Sequence, residues 1–320
     1  MKILSFFIIA ATMLAASENS DECGIITMTT SAECISFRLR GSGIALVDWG
    51  DGSEKDTVEL EIADEYGWTW TTRQDLNPIP RAITISGKNI TGLNCDGNLF
   101  IILDIMNRET PRCNQFTTLD VSRNTVLTYF DCSNNQLTEL DVSKNTALTI
   151  LKCRKNQLTE FDVSKNTALE ILWCDDNSLT KLDVSRNTAL KHLFCNDNQL
   201  TILDVSRNTA LEHLLCYNNS LTELDVSRNT ALIELMCKNN QLTELDVSKN
   251  SSLVYFWCGN NQFAADALNL LFDTLHDNVV TFVLVDEGEQ IATKIINISN
   301  NPGSTDCDRS IAERKSWAVE

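Results

Sequence analysis

Hydrophobic and polar positions follow a fixed 21-residue cycle through the middle of this chain. The segment LTELDVSKNTAL at 137–148 returns as LTEFDVSKNTAL, LTKLDVSRNTAL, LTILDVSRNTAL, LTELDVSRNTAL and LTELDVSKNSSL. Asp120, Asp141, Asp162, Asp183, Asp204, Asp225 and Asp246 stand 21 residues apart, and so do Cys132, Cys153, Cys174, Cys195, Cys216, Cys237 and Cys258. A constant period of this size indicates stacked coils, each packing mainly on its neighbours. Each cycle holds a shorter pattern twice: Leu127, Phe130, Cys132 and Asn135, then Leu137, Leu140, Val142 and Asn145. Side chains alternate across a strand, so Leu140 and Val142 turn inward and Asp141 outward. By the same parity Phe130 and Cys132 turn inward and Asp131 outward. Two short strands per coil leave little room for a helix and predict a β-rich, weakly curved solenoid over 90–263. Its first part, up to Val126, is irregular. Cys113 precedes Asp120 by two residues fewer than Cys132 precedes Asp141, which implies a distorted turn near Pro111.

The repeated polar columns have structural explanations. Zinc wants four ligands converging on one point, usually through C-x-x-C pairs. The cysteine column runs along a line, and the chain has no C-x-x-C. Parallel Cβ vectors also suit the disulfide torsion poorly. These thiols therefore read as small, buried, reduced core residues. Cys23, Cys34, Cys95, Cys113 and Cys307 lie outside the column, and Cys23–Cys34 is the expected disulfide. The asparagines fit as inward partners for the backbone at each bend. Each column Asp is followed three residues later by Lys or Arg, from Arg123 to Lys249. Compensated charge of that kind suits a solvated surface better than calcium, so no metal is expected.

One column varies. The position before the cysteine reads Asp131, Lys152, Trp173, Phe194, Leu215, Met236 and Trp257. Packing does not explain five successive large apolar residues on an outward face. At about 4.8 Å per coil they would span about 19 Å. Two residues earlier lie Ile150, Ile171, His192, His213, Glu234 and Tyr255, with Tyr217 on the other flank. Aromatic anchors bury much area for few rotatable bonds, and a patch of several hundred Å² marks an interaction surface. Trp173, Phe194, Leu215, Met236, Trp257, Ile150, Ile171, His192, His213, Tyr217 and Tyr255 are therefore the candidate partner-binding residues. His192 and His213 read as contact residues, since the pattern supplies no third metal ligand.

The flanks differ from the repeats. Lys2, a largely apolar run from 3 to 16, and the small residues Ala15, Ala16 and Ser17 read as a secretory leader over 1–17. No stretch reaches the length of about 20 apolar residues that spans a bilayer. Residues 18–89 show strand-like runs at 25–28, 35–39, 45–49 and 82–85, forming a β-rich cap. After the repeats, Ala264, Leu268, Leu271, Phe272 and Leu275 follow helical spacing. Apolar runs at 279–285 and 291–298 read as strands, and 308–317 as a last helix. Residues 264–320 thus read as an α/β cap. Such caps cover the open ends of a solenoid.

Composition narrows the function. The 320 residues carry 26 basic and 44 acidic side chains, a net charge of −18. Phosphate backbones repel such a chain, which argues against nucleic-acid binding. Much of the excess sits on the flanks, with 6 basic against 13 acidic residues in 18–89 and 4 against 10 in 264–320. Three histidines, no P-loop and no H-E-x-x-H leave no catalytic constellation, so neither an enzyme nor a cofactor is expected.

The segment LTELDVSKNTAL with its L-x-C-x-x-N partner resembles the bacterial leucine-rich repeat surface proteins of the internalin J kind, which have 21-residue repeats and a cysteine ladder. The likeness covers 90–263. It implies a leucine-rich repeat solenoid and extracellular adhesion or protein recognition, but supplies no ligand. Asp48-Trp49-Gly50-Asp51-Gly52-Ser53 also resembles, in part, the W-x-x-G-D-G turn of PKD-type immunoglobulin-like domains. The expected protein is secreted or exposed on the cell surface. It binds a protein partner through the variable outward residues; a carbohydrate ligand and a passive envelope scaffold are the alternatives.

Overall fold

A computed structural model describes residues 24–32, 34–60, 67–74, 79–96, 114–284 and 288–320. The leader at 1–17, Cys23, Cys113 and the turn near Pro111 lie outside the described residues. Seven strands come first: β1 (Gly24–Thr30), β2 (Ile35–Ser42), β3 (Ile44–Asp48), β4 (Asp56–Glu59), β5 (Thr69–Arg73), β6 (Arg81–Gly87) and β7 (Asn89–Asn94). Alternate residues of β1 and β6 are buried, among them Ile26, Met28, Ile83 and Ile85. One sheet runs β4-β3-β6-β1 and ends on β8 (Thr118–Asp120), which pairs antiparallel with β1. The other holds β5, β2 and β7. Phe37 of β2 meets Trp49, just beyond β3, at 5.5 Å between ring centroids, so the two sheets share a core.

The turn after Trp49 follows from its glycines and acids. Gly50 has φ +67°, and a Cβ there would stand 2.2 Å from the Ala82 carbonyl oxygen. Only glycine fits. Trp49 Nε1 donates to Asp56 at 2.6 Å, and Arg73 donates to Asp51 at 2.9 Å.

The second sheet does not stop at β7. Strand β9 (Tyr129–Asp131) lies parallel to it, pairing Phe130 with Leu93. Six more three-residue strands follow in exact register: β10 (Ile150–Lys152), β11 (Ile171–Trp173), β12 (His192–Phe194), β13 (His213–Leu215), β14 (Glu234–Met236) and β15 (Tyr255–Trp257). Helix α1 (Ala265–Thr274) buries Leu268, Leu271 and Phe272. Next come the hairpin β16 (Thr281–Leu284) and β17 (Gly288–Ile291), strand β18 (Lys294–Asn297), the single-turn helix α2 (Ser310–Glu313) and β19 (Trp317–Val319). Strands β18 and β19 extend the same sheet, giving it twelve strands.

The solenoid matches the repeat pattern, with one difference. Only one side of each coil forms a ladder; beyond β8, the segments equivalent to 140–142 pair with no neighbouring strand among the described residues. Side chains do that work instead. Asp141 Oδ1 accepts the Ser143 N–H at 2.8 Å. Asn166 Nδ2 donates to the carbonyls of Val142 and Asn145 in the preceding coil, each at 2.9 Å. The Asp column therefore caps its own turns. Where Lys or Arg had been expected to compensate it, the chief cause of the lowered Asp141 pKa is the Ser143 hydrogen bonds, and Lys144 contributes least. On the ladder side a second asparagine column does likewise. Asn198 Nδ2 donates to Cys174 O at 3.0 Å and Cys195 O at 3.2 Å, and its Oδ1 accepts Leu179 N–H at 2.9 Å.

The last segment also departs from expectation. Instead of one helix over 308–317, α2 ends at Glu313 and Trp317 opens β19. Trp317 is 2% exposed and donates from Nε1 to His276 O at 2.9 Å. The apolar run at 291–298 is likewise divided between the end of β17 and β18. Lys294 in that run is buried, and its ammonium is satisfied by the carbonyls of His276, Asn278 and Lys315.

Candidate recognition surface

Parity sorts each repeat strand into a dry and a wetter half. Leu193 and Cys195 are fully buried, while Phe194 between them is partly exposed. The same alternation holds from Lys152 to Trp257. Inside, all seven column cysteines are free thiols, as is Cys95 next to them. Burial raises their pKa, that of Cys216 to about 12. Cys34 is disulfide-bonded. Its expected partner Cys23 lies outside the described residues.

On the wet face the in-register pairing lines up Lys152, Trp173, Phe194, Leu215, Met236 and Trp257. Trp173 and Phe194 stack with centroids 5.2 Å apart and planes 8° apart. Lys152 places its ammonium 3.8 Å from the Trp173 centroid, and Lys238 sits 5.2 Å from Tyr217 and 5.1 Å from Trp257. Ile150, Ile171, His192, His213, Glu234 and Tyr255 form a parallel column. All are partly exposed except Tyr255, which is exposed. The register thus brings every candidate contact residue onto one face.

Asp131 breaks the outward rule. It is buried, and burial raises its carboxyl pKa. The Tyr129 hydroxyl and the Ser133 N–H lie against it, and the neighbouring carboxylate of Asp96 adds to the shift. Strand β7 and Cys95 just after it lie alongside this first rung, Asn94 pairing with Asp131 and the Cys95 N–H donating to the Asp131 carbonyl at 2.8 Å.

That junction also holds aromatic and cationic side chains that the repeat pattern did not reveal. Trp68 meets Tyr129 edge-on at 4.9 Å. The Arg38 guanidinium lies 5.7 Å from the Trp68 centroid and 4.7 Å from that of Trp70, and Arg40 lies 5.6 Å from Trp68. Lys152 lies 5.8 Å from the Tyr129 ring. A connected run of aromatics and cations therefore extends from Trp70 to Phe194. The spacing Arg38-x-Arg40 beside Trp68-x-Trp70 carried a signal: Arg38 and Arg40 share a face of β2, Trp70 is the register partner of Arg38, and Trp68 lies just before β5. The partnership of β2 with β5 was not visible in a 21-residue period.

No protein-family model matches the chain, and no curated protein matches it. Solved structures do. A functional domain of InlJ from Listeria monocytogenes, described as including a cysteine ladder, is 30% identical with a TM-score of 0.47, over 77% of this chain and 62% of that one. A leucine-rich repeat protein of Leptospira interrogans is 21% identical with a TM-score of 0.50, over 65% of this chain and 58% of that one. The chain thus spans about three fifths of the length of these two proteins. No helix among the described residues is long and apolar enough to cross a membrane. With its 21-residue coils and column of buried thiols, the chain is a leucine-rich repeat solenoid with a cysteine ladder.

Proposed function

We propose that this chain is an exported, non-enzymatic recognition protein that docks a protein partner on the ladder face. The observation that carries the reading is the unbroken strip of Lys152, Trp173, Phe194, Leu215, Met236 and Trp257 on outward strand positions. Partly exposed tryptophan, phenylalanine and methionine are among the side chains enriched at the core of protein interfaces. The apolar, Lys2-led start of the sequence supports export. It also supports placing the partner outside the cell, on or near the cell surface.

A protein partner fits better than a sugar. Sugar stacking needs a free aromatic face, yet Trp173 has Phe194 against one side and Lys152 close over its ring. What this part of the strip offers outward is ring edges and aliphatic stems, which suit an irregular protein surface. A passive scaffold would have no use for such a strip.

The test compares native chain with Trp173→Ser/Phe194→Ser/Trp257→Ser in capture from extracellular proteins and on a glycan array. Loss of one specific protein ligand, with the fold retained by circular dichroism, is expected. Capture of glycans alone, or equal capture by both chains, overturns the reading.

A further inference from the structure

The register that builds the strip also stacks His192 on His213. Their rings lie 4.7 Å apart at 11°, because residues 192 and 213 are direct partners in adjacent parallel strands. Glu212 joins them: one donor atom from each of His192, Glu212 and His213 lies within 4.8 Å of the other two. Glu234, the next partner in the same column, contacts His213 Nδ1 at 2.9 Å. A carboxylate only accepts, so Nδ1 is the donor in this contact, and Nε2 is the nitrogen left for a metal. Carboxylate–histidine pairs of this kind fix the tautomer and orientation of metal-bound imidazoles.

We propose that His192, His213 and Glu212 form a binding site for a divalent transition-metal ion of the zinc class, with Glu234 as a positioning residue. Two imidazoles and one carboxylate are a set that zinc accepts, leaving a fourth position for water. With bonds of about 2.0–2.1 Å, tetrahedral donors stand about 3.3 Å apart. Closing that gap takes side-chain rotation, which the partial burial of all three residues permits. Calcium and magnesium prefer all-oxygen sets and are not expected to compete. The site goes beyond the docking reading and needs no partner.

The test is calorimetric titration with Zn²⁺ of the folded chain carrying Cys307→Ser, which removes a partly exposed thiol. Binding is expected to weaken by more than about tenfold in His192→Ala and in His213→Ala, and by about 10–100-fold in Glu234→Gln. Trp257→Ser, which impairs only docking, is expected to bind zinc like its parent. No zinc uptake, or an affinity in either histidine variant equal to that of the parent, overturns the site. A second measurement needs no variant: diethyl pyrocarbonate labelling of the native chain, mapped by mass spectrometry. Zinc is expected to protect His192 and His213 and to leave His276 unchanged; failure to protect the pair overturns the proposal. Either failure leaves the docking strip standing.

Discussion

Lys152 holds its ammonium 3.8 Å from the centre of the Trp173 ring, one rung along the ladder. The contact is partly desolvated, and burial lowers the Lys152 pKa while the buried Asp131 carboxylate opposes that shift. A cation over an indole contributes about 0.5–2 kcal/mol, more as water is excluded. Lys152→Met keeps the aliphatic stem and removes the charge. It is expected to lower stability by about 0.5–1 kcal/mol in denaturant titration; an unchanged midpoint would show the contact to be energetically silent.

Neighbouring residues of one strand are expected to respond very differently. Leu193→Ala opens a cavity in the fully buried interior and is expected to cost about 2–5 kcal/mol. Phe194→Ser, one residue on, loses only a partly exposed stacking contact, and about 1 kcal/mol is expected. Urea melts of the two variants compare them directly. Equal losses would mean that the strip is core.

Thiol chemistry reports on the interior. The column cysteines are buried and free, and desolvation raises their pKa, so folded protein is expected to leave them unlabelled by a thiol-specific disulfide reagent near pH 8. Cys307 is the only partly exposed free thiol among the described residues and is expected to react first. Denaturant should then release the column together. Fast labelling of Cys195 in the native state, read by peptide mapping, would contradict this.

Two sets of carboxylates give opposite pH signatures. Asp131 has a raised pKa, first through burial, so its ionised form is penalised in the folded state. That penalty is absent below the ordinary value of 3.8, builds as pH rises through the folded pKa, and persists at neutrality. Asp131→Asn is therefore expected to raise the melting temperature near pH 7 and to have no effect near pH 3. Asp141, Asp162, Asp183, Asp204 and Asp225 are held below 3.8 by hydrogen bonds from the serine two residues on. Their stabilisation is present above the ordinary value and is lost as pH falls through the folded pKa. The Asp183→Asn variant, which keeps the turn acceptor without the charge, is expected to flatten that acid loss slightly. Melting curves from about pH 2 to 7 separate the two signs.

Much of this was legible in the repeats. A strict period fixes the coil, and strand parity places Leu193 and Cys195 inside and Phe194 outside, as found. What the period could not show is where side chains replace backbone partners. The segment Leu140-Asp141-Val142 alternates like a strand, yet Asp141 and Asn166 satisfy its surroundings without a ladder. Asp131 misled for a related reason. Parity says which way a side chain leaves its strand, whereas burial depends on what the preceding strand brings next to it. The metal-type cluster was missed because Glu212 lies outside the strand pattern and meets His192 only across a rung.

The in-register join between coils has a consequence for how such a gene changes. Each rung repeats the same asparagine and cysteine partnerships with the rung before, so a cut at one position of the cycle matches the same position one cycle later. Recombination that removes or duplicates a whole cycle leaves both ends of the molecule with the neighbours they had. Unequal exchange can therefore lengthen or shorten the face one notch at a time, altering which residues are offered outward while the means of closing the structure stay untouched.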